Sequence, residues 1–289
     1  MPDAKKGHRA SIHDVSDGTP LRVPPTAAFL GYRPFPAVMN LYANYTGVLS
    51  SIKSHKLCGT AESDFLYLVE YHLGYTPRGP LNFGRGYYLR NGTTFKDPIL
   101  TATGEDFPIP LLVSLFDPMT IVKLPPLDMA KNPRDMVDEV LRAEKSKEHG
   151  VAFCFAVEVG VKSMQRESFE WRKATAAPGE RQGENGHKIK TRYTLHRLAP
   201  SCPATSTSTS STSNRAASDA ETVAVLGFNH VLSFTHLFTL ELKGAGLTGE
   251  LGDRWTLMVV TTALSIHLLR QLGKTGKATV GAAQKIHGK

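Results

Sequence analysis

An apolar run from Leu257 to Leu272 constrains this chain more than any other feature of its sequence. Leu257, Met258, Val259, Val260, Ala263, Leu264, Ile266, Leu268, Leu269 and Leu272 would cover nearly the whole circumference of a helix. Thr256, Thr261, Thr262, Ser265 and His267 interrupt them, and Arg270 and Gln271 precede Leu272. A surface helix keeps one polar face, so this one must be enclosed by protein or by lipid. Asp253 reads as its N-cap and Gly273 as its stop. From Trp255 to Leu269 it would be about 22 Å long at roughly 1.5 Å per residue, short of a bilayer core of about 30 Å. Arg254 and Arg270 bracket that stretch from Trp255 to Leu269, so the expectation is enclosure by the protein itself and no transmembrane span.

The 289 residues allow one large β-rich domain or two small ones, and are enough for a substantial core. The stretch Met1-Pro2-Asp3-Ala4-Lys5-Lys6 lacks the apolar segment of a signal peptide. Cys58, Cys154 and Cys202 are odd in number and far apart, which suits neither a disulfide framework nor a zinc site. A reducing, cytoplasmic location follows as the expectation, peripheral at a membrane surface if the basic residues find a bilayer. The glycosylation sequons at Asn44 and Asn91 carry little weight without secretion.

The net charge of +8 is concentrated in two places. From Arg270 onward stand Arg270, Lys274, Lys277, Lys285 and Lys289 and no acid. Between Gly160 and Leu198 nine basic residues face four glutamates. Within that stretch Arg172, Lys173, Lys188, Lys190 and Arg192 are the candidate contacts for an anionic ligand. Basic surfaces attract phosphate groups, and a solvated basic surface is the plainer reading of the same residues. Nucleic-acid binding has the charge but lacks a motif or a clear aromatic platform.

Residues 1–37, rich in proline and charge, are expected to be mostly disordered, with Phe29, Tyr32 and Phe35 docking at the domain edge. Strand-like alternation then recurs over Phe65–Leu73, Tyr87–Arg90, Ile99–Thr103 and Leu111–Leu124, the last broken at Asp117-Pro118. It continues through Val151–Val161, Glu167–Trp171, Lys188–Leu198, Thr222–Phe228 and Phe234–Lys243, nine or ten strands in all. Asn132-Pro133 reads as a helix start, so residues 132–149 are expected to be an exposed helical insertion. The Ser/Thr-rich stretch 201–219 is expected to be a disordered loop, and 273–289 a basic disordered tail.

Three segments carry a resemblance to a known superfamily. They are Lys96-Asp97-Pro98-Ile99-Leu100-Thr101-Ala102-Thr103, Arg166-Glu167-Ser168-Phe169-Glu170-Trp171-Arg172, and Gly249-Glu250-Leu251-Gly252-Asp253-Arg254-Trp255 with its helix. Over residues 38–272 the chain resembles the tubby C-terminal-like superfamily, in particular the fungal proteins related to the plant LURP-one group. It departs from that pattern at Lys173-Ala174 and in the Ser/Thr-rich insertion. The resemblance implies a closed antiparallel β-barrel of about twelve strands around the apolar C-terminal helix, with no cofactor. Glu170, Trp171, Gly252, Trp255 and Val260 are then expected to determine the fold. The superfamily includes phosphoinositide-binding tubby domains and phospholipid scramblases. It therefore implies a non-enzymatic barrel that binds anionic membrane phospholipid headgroups or acts as an interaction scaffold for a protein partner.

Sites of chemistry are scarce by comparison. Gly84-Arg85-Gly86 lacks the third glycine of a dinucleotide loop, and Gly273-Lys274-Thr275 lacks the first glycine of a phosphate-binding loop. No Gly-x-Ser-x-Gly elbow occurs, and His230 and His236 stand at an unsuitable interval for a helical metal pair. Cys154 reads as a plain thiol within a strand, and Glu167 and Glu170 as salt-bridge partners of Arg166 or Arg172. The alternative reading is an enzyme or accessory protein of fungal specialised metabolism, holding a small molecule at a barrel mouth.

Overall fold

Alternating apolar residues give each strand one face that must be buried, and closing the sheet on itself buries all of those faces at once. The computed structural model describes residues 31–44, 54–105, 118–127, 136–146, 150–161, 163–174, 189–198, 220–229 and 235–287. Among them twelve antiparallel strands close a barrel in sequence order, β1 pairing with β12. They are β1 (Val38–Ala43), β2 (Ser54–Cys58), β3 (Phe65–His72), β4 (Gly86–Arg90), β5 (Ile99–Gly104) and β6 (Thr120–Leu124). β7 (Val137–Ser146), β8 (Gly150–Val159), β9 (Gln165–Ala174), β10 (Ile189–Arg197), β11 (Thr222–Asn229) and β12 (His236–Leu242) complete it. Three helices follow: α1 (Gly244–Thr248), α2 (Gly252–Gln271) and α3 (Lys277–His287).

The strands fill the interior from the wall, and α2 fills it from the axis. Val151, Phe153, Phe155, Val157 and Val159 of β8 all point inward and are buried, as are Phe238, Leu240 and Leu242 of β12. Every residue of α2 from Leu257 to Leu269 is buried, which is why the run could dispense with a polar face. Its few hydroxyls are satisfied against the wall. Thr261 Oγ1 lies 3.0 Å from Thr101 Oγ1, Ser265 Oγ 2.5 Å from Thr103 Oγ1, and Trp171 Nε1 donates to Thr262 Oγ1 at 3.1 Å.

α2 begins at Gly252, with Leu251 as N-cap and no side-chain capping bond. Asp253, expected as the cap, instead sits buried within the first turn, where a carboxylate suits the positive end of the helix dipole. Gly252 has φ +81°, and a Cβ there would meet the Gly160 carbonyl oxygen at 2.9 Å. A side chain is therefore excluded both by backbone conformation and by the rim of β8. The helix ends as its sequence indicates. The Gly273 N–H donates to Arg270 O at 3.1 Å and the Lys274 N–H to Leu269 O at 2.7 Å, the paired bonds of a Schellman ending.

Two expectations are corrected. Residues 137–146, expected within an exposed helical insertion, form strand β7, paired to β6 from Leu124↔Val137 to Thr120↔Leu141 and to β8 from Arg142↔Cys154 to Ser146↔Gly150. The local sequence favours a helix, but a strand is needed there to join β6 to β8, and tertiary pairing overrides propensity. Residues 277–287, expected in a disordered tail, form α3, which buries Val280 and Ala283 beside β7 and β8. Lys274 in the same segment is buried as well, bound to Glu105.

The N-terminal expectation is met in one part. Tyr32 and Phe35 do dock: Phe35 stacks on Tyr67 with centroids 4.9 Å apart, and Tyr32 packs beside it. Residues 1–30, which include Phe29, and residues 199–219 with the Ser/Thr-rich stretch lie outside the described residues.

Candidate functional site

Strand direction sorts the molecule into two mouths. β5 runs alongside α2, as the pairs Thr101–Thr261 and Thr103–Ser265 show, so odd-numbered strands run towards the end of the helix. Connections that follow odd strands therefore open at the helix-end mouth, and those that follow even strands at the helix-start mouth. The β3–β4 connection, the last residues of β9 with the first of β10, and α3 all belong to the helix-end mouth.

Four of the five basic candidates, Arg172, Lys173, Lys190 and Arg192, fall on β9 and β10. Trp171 points inward, so Arg172 points outward, opposite Thr194. Arg172 is held by Glu170 on the same outer face at 2.8 Å. Arg192 shares the outward register of Thr194, opposite Ala174. Lys173 takes the inward register of Trp171, opposite the buried Tyr193, but is itself exposed. Lys190 lies in β10, and Lys188 is outside the described residues. The wall thus shares Arg172 and Arg192 on one face and sets Lys173 on the other.

Of the residues expected to determine the fold, Trp171, Trp255 and Val260 are enclosed in the core. Trp255 meets Phe169 with centroids 6.0 Å apart, and Phe169 stacks on Phe155 at 5.5 Å. Gly252 abuts Gly160, and Glu170 is an outer-face partner of Arg172.

Inside the helix-end mouth two imidazoles meet. His267 of α2 lies among Tyr87, Phe228 and Phe238, and its ring is 5.8 Å from that of His55 on β2. Burial lowers His55 to about 4. Burial, helped by His55 and Arg270, lowers His267 to about 3. Both rings are neutral at ordinary pH, and among the described residues neither His55 Nδ1 nor His267 Nε2 has a hydrogen-bond partner. Among the described residues no group of three or more His, Cys, Asp or Glu side chains is arranged to hold a metal ion.

The barrel wall parts at a seam. β7 and β8 pair only from Arg142 to Ser146, and residues 137–141 diverge from residues 155–159. Arg166 bridges the opening, bonding Glu139 at 2.5 Å and Glu158 at 2.6 Å. Arg254 at the start of α2 reaches Glu158 Oε2 at 2.9 Å and Pro125 O at 2.7 Å. Burial raises Glu158, but bonds from Arg254, its own backbone N–H and Arg166 outweigh that and hold its carboxyl below the usual range. Outside the seam lies a groove of about 550 Å³ that includes Cys154, Arg142 and Glu144. Burial, with Glu144 and Glu170 nearby, pushes the Cys154 thiol up to about 12, so it is no nucleophile at neutral pH. Burial likewise pushes Cys58 up to about 11.

Sequence reasoning missed this seam, because it depends on Arg166, Arg254, Glu139 and Glu158, which are scattered along the chain. It also missed the exposed apolar side chains of the β3–β4 connection, Leu73, Tyr75 and Phe83. Leu73, Tyr75, Leu81 and Phe83, set among the glycines and prolines of residues 73–85, were the available signal. No protein family, no curated protein and no solved structure matches the chain. The molecule is a closed antiparallel β-barrel around an internal helix, and among the described residues no helix is long and apolar enough to cross a membrane.

Proposed function

We propose that this chain is a tubby-like barrel of the LURP-one-related fungal kind, working without catalysis as a binding scaffold for anionic membrane lipid headgroups. One observation carries the reading: α2 is buried throughout the barrel from Leu257 to Leu269, so the work of the molecule falls to its rims and outer wall. The protonated thiols of Cys58 and Cys154 and the neutral pair His55 and His267 support a structural role for groups that could otherwise serve chemistry.

The proposed headgroup contacts are Arg172 and Arg192, with Lys173, Lys188 and Lys190 of the same stretch of chain. Each cation near an anionic bilayer contributes about 1 kcal/mol, and salt weakens that contribution. A peripheral cytoplasmic location fits such a role. Sedimentation of the full chain with vesicles of graded anionic content tests it. Binding that rises with phosphoinositide or phosphatidylserine content and falls with salt is the expected result. Equal behaviour towards neutral and anionic vesicles at low salt would remove the lipid reading and turn attention to a protein partner.

A further inference from the structure

The outer wall of β3, β4 and β5 carries a small apolar layer of its own, Leu81, Tyr88 and Ala102 with Ile99 against them. The connection 73–85 folds back to supply it through a one-turn 3-10 helix, Gly79–Leu81. Tyr88 donates its hydroxyl to Arg78 O, and His72 Nε2 lies 2.7 Å from Asn82 O, so the connection is bonded at several points. At its neck the two ends touch: a Cβ on Gly74 would stand 2.4 Å from the Phe83 carbonyl oxygen.

This anchored loop nevertheless holds apolar side chains in water. Tyr75 is 82% exposed, Leu73 48% and Phe83 42%. The loop contains Arg78 and Arg85 and no acid. Two ion-pair triads surround it, each with one carboxylate between two cations. Glu105 accepts from Arg85 at 2.7 Å and from Lys274 at 3.0 Å, and Glu70 from Arg78 at 2.8 Å and from Arg90 at 2.5 Å. Burial raises Glu105, but the bonds from Arg85 and Lys274 prevail and hold it below the usual carboxylate range. Four bases against two acids leave an excess of two positive charges.

We infer that the loop 73–85 is where the helix-end mouth docks on an anionic bilayer, with Leu73, Tyr75 and Phe83 entering the interface. The inference rests on the lipid reading above and adds a surface that reading does not contain. Aromatic rings with a polar edge suit the headgroup level, and neighbouring cations suit its negative potential. Arg172 and Arg192 and the exposed Lys277 and Lys285 of α3 belong to the same mouth, so one approach brings all of them to the membrane. A nucleic acid fits less well: aliphatic Leu73 offers no stacking face.

The test uses the full chain and its Tyr75→Trp variant, in which the new indole is exposed while Trp171 and Trp255 are fully buried. The vesicles are phosphatidylcholine with and without phosphatidylserine, and brominated acyl chains serve as quenchers. The expected result is a blue shift and quenching with phosphatidylserine only. A Leu73→Ser/Tyr75→Ser double variant, which touches only exposed positions, should then partition at least about tenfold more weakly with unchanged thermal unfolding. Sedimentation with phosphatidylserine but no shift, and undiminished binding by the double variant, would overturn this surface while leaving the lipid reading intact. No sedimentation of the parent chain at all would overturn both.

Discussion

Trp171 of β9 donates its indole N–H to the Thr262 hydroxyl at 3.1 Å, and that hydroxyl in turn donates to Val259 O at 3.0 Å within α2. Both residues are wholly buried, so one side-chain bond fixes the axial and rotational position of the helix against the wall. Replacing Thr262 by the isosteric valine leaves the indole N–H without a partner in an apolar interior. Thr262→Val should cost about 1–3 kcal/mol in urea unfolding. Trp171→Phe in the same background should then cost less than it does alone. Strict additivity of the two changes would show that the bond contributes nothing.

The histidine pair makes stability depend on pH in a definite direction. In the unfolded chain both residues titrate near 6.5, whereas in the fold His55 lies at about 4 and His267 at about 3. Below about pH 6.5 the unfolded state therefore binds more protons, and stability falls as pH falls. The loss approaches about 1.4 kcal/mol per pH unit for each histidine, fading as each folded-state value is passed. Urea midpoints measured from about pH 7.5 to 4 should drop steeply for the parent chain and less steeply for His267→Phe. Parallel curves would rule the pair out as the source.

Val260 sits at the middle of α2 with 1% of its surface exposed. Val260→Asp places a carboxylate within the hydrophobic core cluster. Burying an unpaired charge costs several kcal/mol, comparable to the whole stability of a domain. Loss of the cooperative thermal transition and of near-ultraviolet dichroism is the expected result. A soluble variant with unchanged unfolding would contradict the enclosed helix.

The thiols offer a chemical check. In a Cys202→Ser background, iodoacetamide at pH 8 should label Cys58 and Cys154 slowly in the folded protein and rapidly in urea. The reason is that burial holds the two thiols at about 11 and about 12. Rapid labelling of Cys154 in the fold would mean that the groove beside the seam activates it after all.

Much of the architecture was legible in the sequence because it follows from local periodicity. The inward run Val151, Phe153, Phe155, Val157, Val159 marks β8, and the all-round apolar stretch after Trp255 marks the enclosed helix. Both patterns need only the pleat of a strand or the turn of a helix to be read. β7 was not legible, since residues 137–146 are good helix formers made into a strand by neighbours on both sides. Nor was α3, whose burial of Val280 and Ala283 is a narrow stripe among lysines and small residues.

The candidate sites divide along the same line. Basic residues of the β9–β10 hairpin can be counted in the sequence, but their faces cannot. Only the register shows Arg172 opposite Thr194 and Lys173 opposite Tyr193, hence on different sides of the wall. The sequence by itself determined that an apolar helix had to be enclosed and that strands would enclose it, because burial of apolar surface dominates the free energy of folding. Tertiary structure alone decided which charges meet. Glu105 joins Arg85 and Lys274, 20 and 169 residues away, through barrel closure, and ion pairs between distant strands leave no local period to read.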